Sequence, residues 1–201
     1  MKILIVSSSQ RTPSQSAKVA RYIAEHCPQF QSVTHIELCK FTLPFWDGDR
    51  ASPALLNSNW HDISAQIKQA DALVLITPEW GGMASPLLKN FLLLCDGQDT
   101  AHKPALLVAV SGGISGAYPI AELKMNALKN NKLVPIPDHL IIRNSESVLL
   151  QGEQNLREQQ LRGRIDYSIH MLHQYSIALK IVRDNHQDQP YPKQQEYSYG
   201  M

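Results

Sequence analysis

Short aliphatic blocks punctuate the first two thirds of the chain. Residues 2–7, 72–77 and 105–111 are continuous apolar runs that stop at serine, threonine, proline or glycine. Such runs predict parallel strands buried on both faces. Residues 33–38 alternate Val33, His35 and Glu37 against Thr34, Ile36 and Leu38, which predicts a strand nearer an edge. A fifth strand is expected over residues 133–142, where Pro135 and Pro137 cannot donate to a ladder and so place it at a sheet edge. Between these runs apolar residues recur at helical spacing: Val19, Ala20 and Ile23 within 16–26, then Leu55, Leu56, Trp60, Ile63 and Ile67 within 53–69. Ser85 as N-cap and Pro86 at the first helical position open a helix over 85–94, and another is expected over 120–131. The alternation of strand and helix implies one α/β layer structure, a five-stranded parallel sheet with helices on both faces.

Residues 153 to about 183 read as one long helix, with Leu161, Ile165, Ile169, Leu172 and Leu179 in a stripe. About thirty residues at 1.5 Å each would run roughly 45 Å. That exceeds the span of a five-stranded core. Leu172, Ile177, Leu179 and Val182 are therefore expected to lack a partner within the chain and to meet a second subunit, as a homodimer or homotetramer. A kink near Gly163 is the competing expectation. After Asp184 the chain turns to Gln, Asp, Pro, Lys and Tyr, which predicts a folded unit over 1–183 and a flexible tail over 184–201.

The 201 residues fit one domain, and 43% hydrophobic with 18% charged residues is ordinary globular composition. A formal charge of +1 leaves no global field to hold nucleic acid or an anionic membrane. Cys27, Cys39 and Cys95 are odd in number and far apart, which argues against a disulfide framework or a metal knuckle and suggests a reducing, cytoplasmic setting. The apolar run from Ile3 to Val6 is too short for a signal-peptide core or a membrane span. His170 and His173 lie one turn apart, yet no third ligand accompanies them, so no metal is expected.

Ligands of open α/β sheets bind beyond the carboxyl ends of the strands, and three loops there are unusual. The first, Ser7-Ser8-Ser9-Gln10-Arg11-Thr12-Pro13-Ser14-Gln15-Ser16, brings hydroxyls and one guanidinium to a helix N-terminus. That chemistry suits a phosphate monoester, although a polar connector with a capping serine would look the same. It has neither the Gly-x-Gly-x-x-Gly of dinucleotide folds nor the Gly-Lys-Ser of a Walker loop, and it lacks a phosphatase cysteine. The second, from Thr77 through Pro78, Glu79, Trp80, Gly81 and Gly82 to Met83, offers close backbone approach and an aromatic face to a planar heterocycle. Alternatively, Trp80 is a core aromatic and the glycines only turn the chain. The third is Ser111-Gly112-Gly113-Ile114-Ser115-Gly116.

Thr77-Pro78-Glu79-Trp80, then Gly82 and Leu88-Lys89-Asn90, resembles the signature of the NADPH-dependent FMN reductases, flavodoxin-like proteins that include quinone, chromate and azo-dye reductases. The first loop is similar to that family's Gly-Ser-x-Arg-x-x-Ser-x-Asn, and Leu43-Pro44-Phe45-Trp46-Asp47 to its stretch after the second strand. The resemblance covers about residues 1–145 and implies a flavodoxin-like three-layer sandwich. It implies that Ser9, Arg11, Ser14 and Ser16 hold the FMN phosphate and that Pro78, Glu79, Trp80, Gly81 and Gly82 contact the isoalloxazine. Ser111, Gly112 and Gly113 would close its other side. The pattern is departed from at Ser8 for glycine, Ser16 for asparagine, Trp80 for tyrosine and Gly81 for asparagine.

The function so implied is transfer of a hydride from NADPH or NADH to bound FMN, then of electrons to a quinone-like or other small-molecule acceptor. No catalytic side chain is required, because the flavin carries the chemistry. A one-electron carrier and a flavin-free interaction module are the rival readings. Carriers of the flavodoxin type are commonly strongly acidic, which the +1 balance does not match.

Overall fold

The computed structural model describes residues 1–152 and 155–197. Its strands are β1 (Lys2–Ser7), β2 (Ser32–Glu37), β3 (Ala72–Trp80), β4 (Met83–Ala84), β5 (Pro104–Val110) and β6 (Val134–Ile142). Five run parallel in the order β2-β1-β3-β5-β6, and the two-residue β4 folds back antiparallel on the end of β3. The helices are α1 (Gln15–Glu25), α2 (Pro53–Leu56), α3 (Trp60–Gln69), α4 (Pro86–Leu94), α5 (Gly97–Thr100), α6 (Ala117–Glu122) and α7 (Leu156–Asp188).

Side chains alternate across a strand, and both faces are covered. Ile3, Ile5, Val74, Ile76, Leu106 and Val108 meet Val19 and Ile23 of α1 with Ile165, Ile169 and Leu172 of α7. Leu4, Val6, Leu73, Leu75 and Leu107 meet Ile63, Ile67, Leu88, Phe91 and Leu123 from the opposite layer. Each such aliphatic side chain contributes about 1.5–3 kcal/mol by burial. β2 and β6 are the edges, as their sequences imply, and the β5–β6 ladder shifts register between Ala105 and Leu107, opposite the proline-bearing stretch.

Four differences from the sequence expectations have physical causes. β3 continues past Thr77 to Trp80, because Pro78 still pairs with Val110 and the next residues pair with β4. The helix expected over 53–69 is broken: Asn57 Nδ2 donates to Pro53 O, Ser58 Oγ to Leu55 O, and Asn59 Oδ1 accepts from Thr42 N. Those side chains compete with helical continuation. α6 begins early, at Ala117, and widens into a π-helical turn over Leu123–Ala127. The fourth is Leu172, expected at a subunit interface. It is fully buried in the chain's own core, since α7 lies on the sheet face over β5 and β6.

α7 runs unbroken through Gly163 and on to Asp188, while Glu153 lies outside the described residues. Its last buried residue is Ser176, and Ile177, Ile181 and Val182 beyond it are exposed. His173 packs edge-on against Phe30, with ring centroids 5.1 Å apart.

Lys103, at the entry to β5, is buried, and its Nζ donates to Ile67 O at 2.8 Å and Lys68 O at 3.0 Å in the last turn of α3. Burial, followed by the nearby Arg183 charge, lowers its pKa to about 8. The folded state thus sheds this proton before the unfolded chain does. Stability must rise as pH increases from about 8 toward the unfolded value near 10.5, by roughly 1 kcal/mol per pH unit at the steepest. Urea unfolding across pH 7.5–10 should show that rise, and Lys103→Met should remove it.

Candidate active site

β1 delivers the first loop against the end of β3. Ser8 is fully buried; its amide and hydroxyl both donate to Ile76 O, at 3.1 and 2.9 Å, and its carbonyl accepts from Ser85 Oγ at 2.8 Å. Serine in place of the pattern's glycine therefore pins the loop to β3 and to the N-cap of α4. Arg11 N donates to Ser9 Oγ at 3.2 Å, and Ser14 Oγ caps α1 by accepting from Ala17 N at 3.0 Å. Ser16, in the first turn of α1, is only 1% exposed, and its hydroxyl has no partner. An unmet buried hydroxyl costs about 1–3 kcal/mol, and first-turn amides have no helical acceptor of their own. An anion at this helix terminus answers both.

The Arg11 guanidinium stands over the Trp80 ring, 5.7 Å from its centroid, which links the first loop to the second. In that second loop Gly81 and Gly82 have φ of +58° and +78°, the two left-handed residues of a tight hairpin turn. Asparagine tolerates this conformation better than most residues, so Gly81 preserves the turn while losing an amide side chain. The hairpin is fastened from outside: Ser85 N donates to Thr77 Oγ1 at 2.8 Å. Glu122 accepts from Ala84 N at 2.7 Å and from Lys89 Nζ at 2.8 Å. Burial opposes the Glu122 charge, but the Lys89 and Ala84 hydrogen bonds outweigh it and hold its pKa below the ordinary glutamate value.

The third loop is tied across to the second. Ser115 Oγ donates to Glu79 Oε2 and lies 3.2 Å from Ser111 Oγ, while Arg143 Nε donates to Ser115 O at 3.0 Å. Ser111 Oγ also accepts from Gly113 N at 3.3 Å. Gly116 has φ of +112°, and a Cβ there would stand 2.4 Å from Ile141 Cγ2, so only glycine fits. Gly112 and Gly113 are exposed, with open space where a Cβ would be.

All three loops thus lie at the carboxyl edge, and the Arg11–Trp80 and Glu79–Ser115 contacts join them. Ser9, Ser14 and Ser16 share the entry to α1; Pro78 is buried in β3, and Gly82 lies beside Tyr118. Glu122, Arg143 and Tyr118 carried no motif signal, being separate from the loops they support. A wide cleft of about 1980 Å³ lies elsewhere, lined by Asp71, His102, Lys132, Arg183 and Tyr191 among others. Among the described residues no cluster of three His, Cys, Asp or Glu side chains could hold a metal ion. Likewise no helix there is long and apolar enough to cross a membrane.

Strand order and loop placement define a doubly wound, flavodoxin-like fold, with its switch point between β1 and β3. The model of the family described as NADPH-dependent FMN reductase matches residues 1–147, and the chain belongs to that family of oxidoreductases. It is 32% identical over 116 residues to the NADPH azoreductase of Bacillus sp. (strain OY1-2), covering 58% of this chain and 62% of that one. It is 30% identical over 128 residues to the FMN-dependent NADPH-azoreductase of Staphylococcus aureus, covering 62% of this chain and 68% of that one. Its fold is similar to that of an oxidoreductase from Corynebacterium diphtheriae, with a TM-score of 0.71, 17% identity, and 88% and 97% of the two chains covered.

The residues present fit FMN, the family's cofactor. The unmet Ser16 hydroxyl, at the first turn of α1, could serve a phosphate, and the unmet Glu79 Oε1, in the second loop, could serve a polar edge of the ring. Ser16→Ala should lower FMN affinity about tenfold, the size of one charge-assisted hydrogen bond. The same change should leave thermal stability unchanged or slightly higher, because no protein contact is lost. Flavin fluorescence titration and a melting curve on one preparation check both.

Proposed function

We propose that the protein oxidises NADPH or NADH through FMN and passes the electrons to a small quinone-like or azo acceptor. The observation that carries this reading is the buried, unpartnered Ser16 hydroxyl at the start of α1, beneath a loop bearing Ser9, Arg11 and Ser14. FMN supplies the hydride-accepting ring. The chain's task is to bind the phosphate with hydroxyls, helix amides and Arg11, to orient the ring between the hairpin turn and the third loop, and to shield one face with Trp80. The Bacillus and Staphylococcus relatives are azoreductases, which supports an azo acceptor.

FMN should bind more tightly than riboflavin, and Arg11→Ala should narrow that difference; equal affinities in the wild type would remove the phosphate role. FMN-loaded protein under anaerobic conditions should lose its visible flavin band on addition of NADPH or NADH, and menadione or an azo dye should restore it. Failure of both nucleotides to bleach the band would favour a carrier.

A homo-oligomer is part of the same proposal. Ile177, Ile181 and Val182 expose 43%, 59% and 43% of their surfaces along one segment of α7, an apolar patch suited to a second copy. Sedimentation should show a dimer or tetramer at micromolar concentration, and Ile181→Asp should shift it toward monomer. Cys27, Cys39 and Cys95 are free thiols, consistent with a cytoplasmic setting.

A further inference from the structure

Glu79 is a charged residue whose two oxygens have different surroundings. Oε2 accepts from Ser115 Oγ and so bridges the second and third loops, whereas Oε1 is sealed from water and has no partner. A carboxylate oxygen in that position needs a donor. None of the hydrogen bonds that tie these loops reaches Oε1: Arg143 Nε serves Ser115 O, and Lys89 and Ala84 N serve Glu122. Ser115 Oγ is itself committed to Oε2.

We infer that the Glu79 side chain orients the cofactor: Oε1 accepts a hydrogen bond from the ring N3–H of FMN, while Oε2 keeps the third loop in register. The inference rests on FMN being the ligand of this site. It assigns to the carboxylate a role that contacts through the second-loop backbone and the Trp80 ring would not supply. Oxidised isoalloxazine has one N–H, on its pyrimidine edge between two carbonyls, and that is the only ring donor an acceptor can select. The carboxylate belongs to the second loop and is tied to the third, so a ring edge seated between those loops is placed to bring it that donor. The third loop can yield to a ring edge there, because Gly112 and Gly113 are exposed and uncrowded. Seated this way, the ring places its pyrimidine edge beside a fixed negative charge, which disfavours added electrons on the ring.

The probe is N3-methyl-FMN, which keeps the phosphate and the ring but lacks the donor. Wild-type protein should bind FMN at least about tenfold more tightly than N3-methyl-FMN, the range of a hydrogen bond to a charged group. Glu79→Ala should bind the two flavins equally while still preferring FMN to riboflavin, a preference that reports separately on the first loop. Glu79→Gln, which keeps an acceptor without the charge, should retain discrimination and raise the midpoint potential of the bound flavin. Ser115→Ala, which cuts the tie but leaves the carboxylate, should also retain discrimination. A wild type indifferent to N3 methylation would overturn the assignment. So would a Glu79→Ala protein that still discriminates, or a Ser115→Ala protein that loses discrimination as fully as Glu79→Ala, because Glu79 would then be only a clasp.

Discussion

β1 and β3 lie side by side with both faces buried, and the chain leaves their carboxyl ends in opposite directions. After β1 it turns to α1 on one face, and after β3 it turns to α4 on the other. No connection can then cross the gap between the two strand ends. A crevice is left there by topology alone, before any side chain is chosen. The floor of the crevice is closed by Ser8, which bonds β3 through Ile76 O and receives Ser85 from the start of α4. One buried serine thus joins the two strands and the helix that diverge around the site.

Around that crevice the strand ends change from aliphatic to hydroxyl residues, and the hydroxyls divide into two kinds. Ser8, Thr77 and Ser85 have their partners within the fold and set its geometry. Ser7 does so too, 2.9 Å from His35 Nε2, where burial lowers the histidine pKa. Ser16 is as deeply buried as these but has no partner, so its hydroxyl is available for recognition. Charge is likewise local. The chain carries a formal charge of only +1, so anion attraction at this edge comes from Arg11 and the α1 terminus and not from a global field.

The sheet was legible in the sequence because a strand covered on both faces must be apolar at every position, and 72–77 and 105–111 are. Its continuation through Pro78, Glu79 and Trp80 was not, since those residues are not apolar and are held by a hairpin whose closing turn is Gly81-Gly82. The break at 57–59 was hidden for another reason. Asn and Ser are tolerated in helices, and only the carbonyls their side chains find in the fold decide the outcome. Leu172 was assigned outward by comparing helix length with sheet width, yet α7 keeps its contact with the sheet as far as Ser176. The serine–arginine loop was readable from composition. The Glu79–Ser115 tie was not, because its partners lie 36 residues apart on separate loops.

The wide cleft and the three-loop edge lie at different ends of this molecule, and their hydrogen bonds differ. In the wide cleft, Arg183 donates to His102 O at 3.1 Å and faces Asp71 at 3.4 Å. Arg50 serves Leu94 O and Cys95 O, and Lys132 serves Tyr197 O, so three of its cations hold backbone carbonyls of the fold, though Gln194 Oε1 is left without a partner. The carboxyl edge holds three of the five buried side-chain oxygens without partners among the described residues, the Ser16 hydroxyl and Gln15 carbonyl in the first turn of α1 and Glu79 Oε1 in the second loop, while Ser168 Oγ on α7 and Gln194 Oε1 lie elsewhere. Each unmet group weakens the fold by roughly the free energy that a complementary ligand atom would return. Selection for stability alone would remove such groups, as alanine at Ser16 would do with little loss of packing. That three of them gather at the edge where the topology already leaves a crevice supports the proposal that the ligand is bound there and not in the wide cleft.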